Sequence, residues 1–149
     1  MVLMDRNTAA EEFAKMLFQV GVKESLEGFY DSLDTPGGQN KKTWEDVRKW
    51  HENETDEVRR FVRFIVKEAI VLSVHGLAVN LDGASGYNYV GEHPIEYAVT
   101  MRTYQSIDAI ENHSPRETIE ICPTTHGEDV HDIFLYFVDQ AEEAEFGNR

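Results

Sequence analysis
The chain has one cysteine in 149 residues, so no intrachain disulfide is available and nothing in it points to an oxidising compartment. It lacks the basic and apolar opening of a signal peptide, because MVLMDRNTAA is neither, and the cytoplasm is the default location. The longest uncharged apolar stretch, Ala69–Val79, is about half of the roughly twenty residues a membrane span needs, and Arg, Lys and Glu precede it. No membrane role is expected. Cations are also scarce: 14 Lys and Arg stand against 28 Asp and Glu, a net charge of −14, which repels nucleic acid and anionic lipid alike. After Thr103 only Arg116 and Arg149 are basic. Missing too are the GlyLysThr or GlyLysSer of a phosphate-binding loop, the dinucleotide glycine fingerprint, and the GlyXaaSerXaaGly elbow around Ser85. There are no internal repeats and no low-complexity runs.

What remains has the apolar and charged fractions of an ordinary globular chain, long enough to bury a core without metal or disulfides. One domain over 1–149 is the natural reading. The sequence is organised around Thr55–Gly83. Thr55 can cap a helix, Asp56 and Glu57 suit its positive end, and Val58, Phe61, Val62, Ile65, Ala69 and Leu72 recur at helical steps. Beyond Ala69 the helix is apolar on every side, which predicts a long central helix buried in the core. Asn80, Asp82 and Gly83 stop it.

Upstream, Thr8 with Glu11 forms a capping-box pattern ahead of Phe13, Met16, Leu17 and Val20. Gly21 interrupts the stripe, and Val22, Leu26, Phe29, Tyr30 and Leu33 resume it in a new phase, predicting a second helix at an angle. Residues 34–42, with Pro36, Gly37 and Gly38, read as a flexible loop. A short third helix starts near Thr43 and carries Trp44 and Trp50, which either press on the core or offer an exposed anchor.

Downstream, Tyr87–Val90 and Ile95–Tyr104 read as strands around the turn GlyGluHisPro, and Ile95, Tyr97, Val99 and Met101 alternate with polar neighbours. Ser106–Asn112 is a helical turn or a loop. Thr118–Cys122 reads as a strand, because Pro123 blocks helix, although SerProArgGlu would suit a helix start. From about Glu128, the residues Val130, Ile133, Phe134, Phe137, Ala141 and Ala144 form a helical face, with a strand as the competing assignment for Ile133–Val138. The sum is an α+β fold: three or four helices in the N-terminal half, a small antiparallel sheet and a C-terminal helix.

Chemistry concentrates at His126–Asp132. His126, Glu128, His131 and Asp132, with His93 as a further donor, suit a divalent metal and would make the protein a metal-dependent hydrolase or small-ligand binder. Against that, His126 and His131 are five apart, whereas paired ligands on a helix usually stand four apart, and carboxylates at a helix start also simply answer its dipole. His75 reads as a satisfied core histidine, Cys122 as buried filler, and Asp82–Tyr89 as a connector whose composition would also line a pocket.

The broadest feature is the acidic tail, in which Glu128, Asp129, Asp132, Asp139, Glu142 and Glu143 arrive with no basic residue between them. Such a surface steers a basic protein partner. With no complete catalytic constellation in view, the leading expectation is a small, non-enzymatic interaction protein without a cofactor, of the inhibitor or immunity type. Homo-oligomerisation through the aromatic last helix is a further possibility.

Overall fold
The computed structural model describes residues 4–35, 41–83, 88–90, 92–95, 97–122 and 129–146, with 88–90, 93–95 and 142–146 described by backbone alone. Helix α1 spans Arg6–Met16 and passes directly into a π-helical stretch, Leu17–Glu24, and then into α2, Ser25–Asp34. Helices α3 (Lys41–Asn53) and α4 (Asp56–Leu81) follow. The extended part comprises β1 (Asn88–Val90), β2 (His93–Ile95), β3 (Val99–Thr103) and β4 (Glu117–Cys122), with the short helix α5 (Ile107–Glu111) between the last two. Helix α6, Val130–Phe146, closes the chain. The fold is α+β, with a helical N-terminal half, small antiparallel sheets and a C-terminal helix.

Backbone contacts divide the chain into two compact units, one of residues 1–16 and 75–149 and the other of residues 17–74. In the first, α1 packs on α6 and β4. Ala9, Ala10 and Ala14 are fully buried along α1, and methyl side chains let two helices approach closely. Across that unit Val130, Ile133, Phe134 and Val138 of α6 and Ile121 and Cys122 of β4 complete the core. Arg6 Nη2 donates to the Ile121 carbonyl at 2.9 Å and ties the start of α1 to the end of β4.

In the second unit, the change of phase foreseen at Gly21 exists but involves no break. A π-helix holds more residues per turn, so the apolar stripe rotates while the helix continues. Gly21 lies against α4: a Cβ there would stand 3.0 Å from Val74 Cγ2. Val22 and Leu33 are buried, Phe29 meets Trp44 edge-on at 5.6 Å, and Arg63 lies 5.0 Å from the Tyr30 ring. Trp44 is therefore packed, while Trp50 is 45% exposed.

Several expectations change. The α1 cap is Asp5, whose Oδ1 accepts from the Thr8 amide at 2.9 Å; Thr8 sits inside the helix because a carboxylate three residues earlier already meets its first free N–H groups. Hydrogen bonding to Thr8 holds the Asp5 carboxyl below its usual range. Helix α3 starts two residues ahead of Thr43. Thr55 does cap α4, accepting from the Val58 amide at 3.3 Å, and Gly83 takes the left-handed conformation (φ +73°) past its end.

The central helix is long but not buried. Val71 and Ala78 are buried, yet Leu72 is 66% and Phe61 62% exposed, because within its units only part of the circumference is covered. By length and composition α4 could cross a membrane, with an 18-residue window of mean hydropathy 1.6.

The single strand expected over 95–104 is two. Strand β2 pairs with β1, Tyr89 facing Pro94, whereas β3 pairs with β4, Met101 facing Ile119, so the described residues form two two-stranded antiparallel sheets. Inward alternation holds for Val99, Met101 and Thr103 but fails at Tyr97, which precedes β3 and is exposed. Of the two alternatives read for 106–112 the helix is found, as Ile107–Glu111, with Ser106 Oγ accepting from the Ala109 amide at 3.2 Å. Residues 133–138 are helical, not extended. The proposed loop 34–42 lies mostly outside the described residues.

Candidate functional site
The C-terminal end of α4, the end of β4 and the first turn of α6 meet at Asp82, whose side chain is fully buried. Its Oδ2 accepts from the His131 backbone amide at 2.8 Å and from His131 Nδ1 at 2.9 Å, and its Oδ1 accepts from Cys122 Sγ at 3.3 Å. A buried carboxylate needs such donors, and the amide bond makes Asp82 a remote cap for α6. Nδ1 of His131 thus donates to Asp82, while its Nε2 stands 3.5 Å from Asp132 Oδ1.

Around this point donor atoms of Asp129, His131 and Asp132 lie within 4.8 Å of one another. A carboxylate behind Nδ1 is the orientation that metal-ligating histidines use. Two of the residues singled out for a metal, His131 and Asp132, are thus brought together with Asp129; His126 and Glu128 lie outside the described residues, and of His93 only the backbone in β2 is described. The ring of His75 lies 5.9 Å from that of His131 and stacks on Phe134 at 6.4 Å. Its Nε2 is buried with no hydrogen-bond partner among the described residues, so it is not the satisfied histidine expected.

Cys122 is more than filler. Burial, the bond to Asp82 and the negative charge of that carboxylate push its thiol up to about 12. A cysteine nucleophile needs the opposite shift, so this thiol is inert. Cys, Asp and His are all present, but Asp82 rather than His131 sits in the middle, and the imidazole has no contact with sulfur through which to take its proton.

The acidic residues distribute unevenly. Unit 1 carries 17 of the carboxylates against 5 Lys and Arg, a net of −12, whereas unit 2 carries 11 against 9. On α6, Asp132 and Asp139 are exposed and two turns apart on one face, with exposed Tyr136 between them. Asp129 is half-buried, Glu120 on β4 is exposed, and Glu142 and Glu143 lie in the last turns of the α6 backbone. Glu128 lies outside the described residues.

Unit 2 holds a separate open groove of about 680 Å³ between α2 and α4, bordered by Phe29, Trp44, Ile65, Ile70 and Val74. The stretch Asp82–Tyr89, read as a connector whose composition would also line a pocket, has 84–87 outside the described residues. Comparison with protein-family models, with curated proteins and with solved structures finds no match for this chain.

Proposed function
We propose that the protein acts by binding a basic protein partner through the acidic surface of unit 1, as an inhibitor or immunity-type protein would. The observation that carries this reading is the segregation of charge: a net of −12 on one unit and −2 on the other concentrates the field that steers an oppositely charged partner. Asp132 and Asp139 supply the exposed contact face, and Tyr136 between them adds the aromatic area that interfaces favour. The experiment is capture on the immobilised protein at low salt. A specific partner should be lost on raising the salt, since exposed charges are screened within about 8 Å at physiological ionic strength. It should also be lost with Asp132→Lys/Asp139→Lys. Retention in both cases refutes the reading.

One observation favours a second function, divalent-metal binding. Asp129, His131 and Asp132 converge while buried Asp82 fixes the imidazole. These side chains would hold the ion, which would supply Lewis acidity at an exposed edge. A thermal shift on adding Zn²⁺ or Mn²⁺, lost in Asp132→Asn, is the expected result; the absence of any shift removes this reading.

A further inference from the structure
Helix α4 presents Phe61, Phe64, Ile65 and Leu72 along one stripe, with exposures of 62, 56, 48 and 66%. All four belong to unit 2, and the stripe borders the groove at Ile65. Together they expose on the order of 400 Å² of apolar surface, comparable to the largest patch on a typical monomer. Arg60 and Glu68, of opposite charge and eight residues apart, stand one turn before and one turn after Phe64, Arg60 exposed and Glu68 half-buried. We propose that this stripe is a homodimer interface in which α4 packs antiparallel against α4 of a second copy, with the two-fold axis at Phe64.

The charge pattern selects that arrangement. An antiparallel two-fold at Phe64 sets Arg60 of each copy opposite Glu68 of the other, two reciprocal pairs flanking the stacked Phe64 rings. Parallel pairing instead brings Arg60 to Arg60 and Glu68 to Glu68, which is repulsive. Phe61 and Ile65 then flank the central rings, and Leu72 covers the stem of Arg60.

The area is sufficient. With interfaces about 60% apolar, 400 Å² of apolar surface corresponds to roughly 1,300 Å² buried in total, inside the range of specific complexes. A spanning role fits less well, because Lys67 and Glu68 leave only Ala69–Val79 as an uncharged apolar stretch, about half the length a span needs.

Sedimentation of the full chain between about 1 and 100 μM tests this, with far-UV circular dichroism to verify folding of each variant. Wild type should dimerise, and Phe64→Glu should be a folded monomer. Arg60→Glu and Glu68→Arg should each weaken the dimer about tenfold, and the double variant Arg60→Glu/Glu68→Arg should restore it. A monomer throughout, a dimer indifferent to Phe64→Glu, or a double variant no tighter than the singles overturns the proposal. So does a monomer that binds neutral phosphatidylcholine vesicles through the same stripe.

Discussion

Replacing Asp82 by alanine tests the centre of unit 1 most directly. The change strands at least three donors at once: the His131 amide, His131 Nδ1 and the Cys122 thiol. Hydrogen bonds to a charged acceptor contribute about 1.5–3 kcal/mol each, but the three share one carboxylate and are not additive. The His131 side chain is 17% exposed, so Nδ1 can recover part of its loss from water, whereas Cys122 is fully buried and cannot. The expected cost is about 3–5 kcal/mol, as when one partner of a buried pair is removed. In a domain of this size each kcal/mol moves Tm by about 2–4 °C, so a fall of about 6–20 °C is expected. Asp82→Asn keeps one carbonyl acceptor and should fall between wild type and alanine. Urea and thermal unfolding followed by circular dichroism supply both quantities. A Tm within about 3 °C of wild type for Asp82→Ala, or an asparagine variant worse than alanine, refutes the account of Asp82 as the pin joining α4, β4 and α6.

Cys122 should resist thiol-specific labelling in the native protein at pH 8–9 and react on unfolding; fast native labelling would contradict its burial and its raised ionisation. The linkage sign follows. With the folded thiol raised from 9.0 to about 12, its contribution to stability is full below pH 9 and is lost as pH rises from there toward 12, a loss Cys122→Ala should remove from the pH profile of urea unfolding. Two glycines should respond in opposite ways. Gly76 lies inside α4 with open space around a prospective Cβ, so Gly76→Ala should stabilise by about 0.5–1 kcal/mol, whereas Gly21→Ala meets Val74 at 3.0 Å and should gain nothing or lose. Equal gains at both positions in thermal unfolding would discount the close approach at Gly21.

Local chemistry makes much of the fold legible in the sequence. Thr55 as the cap of α4, Gly83 as its stop, Pro123 against a helix at 118–122, and the spacing of Val130, Ile133 and Phe134 all act within a few residues, and each produced the element expected. The acidic bias after Thr103 was equally plain, being a property of composition. Apart from the local shifts at the starts of α1 and α3, the contact that overturned the sequence reading was remote. A continuous apolar run says that α4 needs cover but not that cover is present, and Leu72 and Phe61 are exposed because burial depends on what packs alongside. The run 95–104 satisfies one strand's periodicity, yet it splits because β1 and β4 compete for its two ends.

The candidate site shows the same division. His131 and Asp132 stood out as neighbours in sequence, but Asp82, the orienting partner of His131, is 49 positions away and was read as a helix stop and the start of a connector. Cys122 was treated as inert, and its inertness has a cause no spacing could reveal: a carboxylate brought to its sulfur by the meeting of α4 and β4. Sequence by itself thus determined where α4 begins and ends and which sign of charge predominates, because capping, periodicity and composition are local. Tertiary structure alone decided which polar groups share a proton network and which apolar face stays uncovered, because both depend on distances between segments far apart along the chain.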